Sequence, residues 1–250
     1  MRPHPQLVHA RTRVRQRYAL MPLEGYPLSK MPGWSADAEI RVLASPALGA
    51  KFVQYLIDLP TGKRGKFTDD PAIETFHYVV RGAGAIASTG RNDQKSGSFG
   101  LTPPGQAFEF AAEEPTRLLI LRKRFQPAPG APGFTGIYGH ESHIPAAPWA
   151  DTDKIRLQTL IPDEMQFDMA MNIFTFTPGF GLPIVETHVM EHGLLFLQGK
   201  GVYLLDGEWM EVETDDFIWM GPYCPQSFYA TGPEPAKYIY YKDVNREITI

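Results

Sequence analysis

The chain has 250 residues, 43% of them hydrophobic, and a formal net charge of -4. That is room for one large domain or two of ordinary size. No apolar run approaches the roughly 18 residues of a membrane span, and a slightly acidic chain offers nucleic acid no basic footprint. The one cysteine, Cys224, excludes an intrachain disulfide and fits a reducing compartment. No residue flanking Cys224 supplies a base, so it is not expected to act as a nucleophile.

The N-terminal stretch carries Arg2, Arg11, Arg13, Arg15 and Arg17 with no apolar h-region behind them. A secretory signal is therefore not expected, and a cytoplasmic protein is. Residues 1–35 read as a solvated or subunit-docking arm of a homo-oligomer. Beyond the arm, Gly and Pro, 23 of each, punctuate short runs rich in Val, Ile, Phe, Tyr and Leu. This pattern predicts a many-stranded antiparallel protein. Strands are predicted at 39–43, 51–59, 74–81, 84–88, 98–101, 107–111 and 117–124. A loop dense in Pro and Gly follows at 126–139, then a polar connector to about 153. A second set is predicted at 156–160, 168–177, 191–198, 201–205, 208–212, 216–220, 227–230 and 237–243. Only 162–167 suggests a helical turn.

The two sets resemble each other. Val79-Val80-Arg81-Gly82-Ala83-Gly84 matches Phe196-Leu197-Gln198-Gly199-Lys200-Gly201, and 93–99 corresponds to 211–217, at nearly the same offset. Repetition over that length marks a duplicated domain and not a solenoid. The prediction is an all-β chain of two double-sheet barrels: residues 36–125, a linker at 126–152, and residues 153–250.

One stretch carries chemistry: Glu186-Thr187-His188-Val189-Met190-Glu191-His192. In an extended strand, residues two apart share a face. Glu186, His188 and His192 then point together, with Met190 between the histidines, as a divalent metal site at the end of a hairpin. Tyr238, Tyr240 and Lys242 alternate along the last strand and share a face. If that face is inward, a cation and phenols meet a small carboxylate; if outward, they are ordinary strand residues. Met165, Met169, Met171 and Met190 are expected to pack.

At these positions the chain resembles the cupin superfamily, whose jelly-roll barrels (double-stranded β-helices) hold a metal between their sheets. The cupin first motif places His-x-His, then Glu, then Gly. Here Glu186-Thr187-His188 takes the first pair, His192 the Glu position, and Gly199 follows at the expected distance. In the second motif, Gly221-Pro222-Tyr223-Cys224-Pro225-Gln226 puts Gln226 at the fourth ligand position, where its amide oxygen can ligate. The first half, a bicupin partner in this frame, holds Asp69, Pro71, Thr75 and Phe108 at those places. They cannot hold a metal, so one site per chain is expected. Two imidazoles, a carboxylate and an amide favour Mn²⁺ or Fe²⁺ over Cu or structural Zn²⁺, with another divalent metal left open.

A narrower resemblance covers nearly the whole chain. Phe167-Asp168-Met169-Ala170-Met171, the 186–193 stretch, Gly199-Lys200-Gly201-Val202-Tyr203 and Tyr241-Lys242-Asp243-Val244-Asn245-Arg246 resemble the (S)-ureidoglycine aminohydrolase family. These are bicupins of the allantoin-degradation pathway. Ser45-Pro46-Ala47-Leu48-Gly49-Ala50 and Ile73-Glu74-Thr75-Phe76 are similar too. The resemblance implies hydrolytic release of ammonia from (S)-ureidoglycine, with Mn²⁺ as cofactor. It implies Glu186, His188, His192 and Gln226 as ligands, Tyr203, Tyr238 and Lys242 at the substrate, and Glu186, Tyr238 and Lys242 in catalysis. The residues alone leave two other readings open: another metal cupin enzyme such as a dioxygenase, and a non-catalytic binder of small ligands.

Overall fold

The computed structural model describes residues 11–87 and 92–247. Arg2 of the basic arm and Ser88, at the end of one predicted strand, lie outside them. Short 3₁₀ turns lie at Leu23–Gly25 and Glu141–His143. Among the described residues no helix is long and apolar enough to cross a membrane. The predicted helical turn at 162–167 is a simple turn at 165–166. Six residues opened by a proline are too few to offset the cost of helix nucleation.

The strands run β1 (Arg13–Val14), β2 (Tyr18–Met21), β3 (Glu39–Ala44), β4 (Phe52–Leu59), β5 (Arg64–Phe67), β6 (Ile73–Arg81) and β7 (Ala83–Ile86). Then come β8 (Asn92–Lys95), β9 (Ser98–Thr102), β10 (Phe108–Ala112), β11 (Thr116–Arg124), β12 (Ile137–His140), β13 (Ala147–Trp149) and β14 (Thr152–Thr159). The last are β15 (Met169–Phe176), β16 (His192–Gln198), β17 (Lys200–Leu205), β18 (Glu208–Glu213), β19 (Phe217–Met220), β20 (Gln226–Ala230) and β21 (Ala236–Asp243).

The chain divides into two compact units. One comprises residues 27–143 and contains β3 to β12. A six-stranded sheet, β12-β9-β6-β11-β4-β3, faces a four-stranded one, β5-β10-β7-β8. Ile57, Val79, Leu118 and Ile120 of the first pack with Phe67, Phe108 and Phe110 of the second. The other unit holds the remaining strands: an eight-stranded sheet, β1-β2-β19-β16-β21-β15-β14-β13, and a three-stranded one, β18-β17-β20. Phe174, Phe176, Leu194 and Phe196 of the large sheet pack with Tyr203 and Phe228 of the small one. Each unit is a jelly-roll barrel.

The repeated Gly-x-Gly has the same cause in both. Gly82 and Gly199 turn the corner between strands with φ of 91° and 77°, open to glycine at no steric cost. A Cβ on Gly84 or Gly201 would lie 2.3 Å from a backbone carbonyl oxygen of Ala111 or Tyr229. The neighbouring strand leaves room for nothing larger.

The arm does not stand apart. β2 pairs antiparallel with β19 of its own chain, Met21 opposite Phe217 and Tyr18 opposite Met220, and Leu20 is 1% exposed in the core. Tyr18-Ala19-Leu20-Met21 is a short apolar run that gains burial only as a strand of that sheet. Arg11, Arg15 and Arg17 find carboxylates of the same unit: Arg11 with Glu213 and Asp216, Arg15 with Glu208, Arg17 with Asp206. The expected linker is likewise structured, because Ile137 and Tyr138 open a strand on β9 and residues 147–149 pair with β14. The units meet in sequence at 26 and 27 and again at 143 and 144.

If the arm is part of the core, Leu20→Ala lowers unfolding free energy by about 2–4 kcal/mol, the cost of a buried large-to-small change. Denaturant titration checks this; an unchanged midpoint would show that β2 contributes nothing to the barrel.

Candidate metal and substrate site

The mouth of the second barrel is built from both of its sheets. His192 opens β16, where it lies opposite Lys242 of β21 and Met220 of β19. Further along, Leu194 faces Tyr240 and Phe196 faces Tyr238. From the small sheet, Leu205 on β17 faces Gln226 on β20, and Tyr203 faces Phe228. These side chains enclose a cavity of about 320 Å³ lined by Glu186, His188, His192, Tyr203, Gln226, Tyr238, Tyr240 and Lys242. The face shared by Tyr238, Tyr240 and Lys242 is thus the inward one.

The 186–191 segment is not the extended strand that the spacing suggested. Only Glu186 forms a bridge, exchanging backbone hydrogen bonds of 2.8 and 2.9 Å with Gln226. The chain then bends at Val189, and Tyr223 N–H donates to the His188 carbonyl at 2.7 Å. The bend reaches the convergence that alternation would have given, by another route. His192 Nε2 lies 3.2 Å from His188 Nε2, and the Gln226 amide nitrogen lies 3.1 Å from the same atom.

The other ring nitrogens decide what this contact means. His192 Nδ1 faces the Tyr241 carbonyl at 2.8 Å, and His188 Nδ1 faces that of Met190 at 3.1 Å. A nitrogen aimed at a carbonyl oxygen carries the ring proton, so each Nε2 presents a lone pair. Burial pushes the His192 pKa down to about 3, with the charges of His188 and Lys242 adding to the effect. His192 therefore stays neutral. Two lone pairs 3.2 Å apart have no hydrogen between them, and a cation is the species that relieves that contact.

Glu186 lines the same cavity and makes no side-chain hydrogen bond or ion pair with the described residues. The Gln226 amide oxygen accepts from Tyr203 Oη at 3.2 Å. A half-turn of that amide exchanges its ends and turns the oxygen towards the imidazoles, and Tyr203 then bonds Tyr238, already its neighbour. Among the described residues no three His, Cys, Asp or Glu side chains form a preassembled cluster. Two imidazoles do, with a free carboxylate and an amide beside them, and that donor set suits an open, mixed-ligand divalent cation.

Burial raises the pKa of Tyr203, Tyr238 and Tyr240, and the carboxylate of Glu186 adds to this for each. All three remain phenols able to donate. Lys242 has no carboxylate partner among the described residues. Cys224 is buried and its thiol is pushed up to about 11, mainly by burial, in keeping with its lack of a base. Met169 and Met171 are fully buried and Met190 lines the cavity, but Met165 is 58% exposed. Asn172, Trp149 and Leu157 also line the cavity, and no sequence motif marked them.

In the other barrel, Asp69 and Pro71 are exposed, while Thr75 and Phe108 are buried. Thr75 Oγ1 accepts from Arg122 Nε at 3.2 Å, and the Arg122 guanidinium lies 4.2 Å from the Phe67 ring centre. Glu74 pairs with Lys123 at 3.3 Å. In the second barrel, Glu191 accepts from Trp219 Nε1 at 3.2 Å.

The cupin domain family model matches residues 172–241. The chain is 35% identical to the (S)-ureidoglycine aminohydrolase of Escherichia coli (strain K12) over 239 residues, 93% of this chain and 90% of that one. Among solved structures it is similar to protein Ylba from E. coli, with a TM-score of 0.87 and 31% identity over all of both chains. A putative glyoxylate induced protein from Pseudomonas aeruginosa gives a TM-score of 0.89 at 32% identity, covering all of this chain and 96% of that one. With that identity sustained along almost its full length, the chain belongs to the (S)-ureidoglycine aminohydrolase family of cupin enzymes.

Proposed function

We propose that the protein hydrolyses (S)-ureidoglycine to (S)-ureidoglycolate and ammonia, with one divalent metal ion per chain, Mn²⁺, in the second barrel. The observation that carries this is the pair of opposed imidazole lone pairs in a cavity that also holds Lys242 and three phenols. The family relationship supports the reaction class. Glu186, His188, His192 and Gln226 hold the metal, which when bound supplies a Lewis acid and an anchor for the substrate's heteroatoms. The other barrel, with Thr75 and Phe108 at the corresponding places, holds none. The absence of a disulfide partner for Cys224 fits action in the cytoplasm.

The chain's residues divide the remaining work. Lys242 pairs with the substrate carboxylate, and Tyr203 and Tyr238, kept protonated by burial, donate hydrogen bonds to the bound molecule. The ureido nitrogen lone pair assists departure of the amine, which leaves as ammonia once protonated. Water then adds to the resulting carbon–nitrogen double bond. The amine leaves on the proton it carries as an ammonium group, and the Glu186 carboxylate takes the proton released by the attacking water, as a base that a bound metal would weaken.

Ammonia release from fresh (S)-ureidoglycine, read above the spontaneous decay of a no-enzyme control, tests this. Metal-stripped protein is expected at background, with Mn²⁺ restoring turnover in the native chain but not in His188→Ala. Background rates with metal demonstrably bound would sink the aminohydrolase reading and direct attention to oxygen uptake. Lys242→Met is expected to lower kcat/KM by about 10- to 100-fold, the worth of a charge-assisted hydrogen bond, with metal content unchanged. For Glu186→Gln, the pH profile and product configuration are the readouts; unchanged turnover removes Glu186 from proton transfer.

A further inference from the structure

Asn172 is a buried amide in a strand that is otherwise apolar on that side. It sits at the middle of β15, directly opposite Tyr240 of β21, with Phe174 and Phe176 following on the same face. The residue is 5% exposed. Its Nδ2 donates to Tyr240 Oη at 3.2 Å, while its Oδ1 is buried and has no hydrogen-bond partner. Both residues line the 320 Å³ cavity. A buried carbonyl without a donor is a destabilising feature that a native site retains for a reason.

The Tyr240 ring is held on two sides. It stacks on Phe174 with centres 5.6 Å apart and planes 8° apart, and it meets the edge of His192 at 5.3 Å. Its oxygen accepts the Asn172 hydrogen, so its own hydrogen is left for the cavity. Asn172 and Tyr240 thus bring an unpaired acceptor and an uncommitted O–H donor to neighbouring positions in the cavity lining.

We propose that Asn172 and Tyr240 form the subsite for the carbamoyl end of the substrate. Asn172 Oδ1 accepts an N–H of the terminal –NH₂, and Tyr240 Oη–H donates to the neighbouring carbonyl oxygen. This rests on the aminohydrolase reading of the site and deepens it. The pair discriminates between the two ends of the molecule. A carbamoyl group offers a donor and an acceptor on one edge, whereas a carboxylate offers only acceptors and is repelled by Oδ1. The carboxylate is directed instead to Lys242, two residues along from Tyr240 on the same face. Holding both ends fixes which face of the central carbon meets water.

The test uses the full chain loaded with Mn²⁺ and two inert probes, N-carbamoylglycine and N-acetylglycine. The second replaces the –NH₂ by a methyl and keeps the carbonyl and the carboxylate. Calorimetry is expected to show the carbamoyl compound binding about 10- to 100-fold more tightly to the native protein, since only it satisfies Oδ1. In Asn172→Leu that preference falls to near one with bound Mn²⁺ unchanged. In Tyr240→Phe both probes weaken together and their ratio is kept. No preference in the native protein, a preference retained in Asn172→Leu, or unaltered binding in Tyr240→Phe would overturn the subsite. Should Asn172→Leu fail to fold, the native ratio and Tyr240→Phe decide. Ammonia release from (S)-ureidoglycine is followed in parallel. Release without the carbamoyl preference overturns the subsite alone, and the preference without release overturns the aminohydrolase reading.

Discussion

Two backbone carbonyls govern this molecule's chemistry. By accepting hydrogen bonds from the Nδ1–H groups of His188 and His192, the Met190 and Tyr241 carbonyls turn both Nε2 lone pairs towards one point. The arrangement is strained in isolation, since like partial charges face each other at 3.2 Å. It persists because each ring is tied to a different part of the barrel. His192 is fixed by the ladder between β16 and β21, and His188 by a loop pinned to Tyr223. The same cavity holds an uncommitted carboxylate, an amide able to turn, three phenols that burial keeps protonated, and one lysine.

The duplicated barrel shows how the same frame settles without such a point. Where one barrel gathers lone pairs, the other carries Thr75 and Phe108, and Arg122 brings a guanidinium to Thr75 and the Phe67 ring. That cation is covalently part of the chain and already has its partners. The Gly-x-Gly corners, set by the close approach of neighbouring strands, are common to both barrels. Backbone geometry has been kept in duplicate, while the polar contents of the two interiors differ.

The sequence made the main strands legible because alternating or continuous apolar runs such as those of β4, β6, β15 and β21 have few other uses. It hid β5 and β8, Arg-Gly-Lys-Phe and Asn-Asp-Gln-Lys, because strands of the small sheet show mostly polar side chains to solvent. It hid β2 because four apolar residues behind a row of arginines resemble an arm until a partner nearly 200 residues away is known. Within the site, the histidines, Glu186 and Gln226 stood out through their spacing, although the spacing implied a strand where the chain bends. Asn172 could not stand out. A single asparagine in Met-Ala-Met-Asn-Ile-Phe-Thr-Phe carries no motif, and only the orphaned oxygen and the cavity beside it give it meaning.

The pairing of β2 with β19 bears on how the chain is made. During synthesis from the N-terminus, Tyr18–Met21 leaves the ribosome long before Phe217–Met220 exists. The second barrel therefore cannot close its large sheet until β19 and β21 have been made, whereas β3 to β12 have all their partners by His143. The duplicated halves, alike in architecture, are unlike in timing. One can fold co-translationally as a unit, and the one that carries the site must wait, its earliest strand exposed as a waiting edge in the meantime.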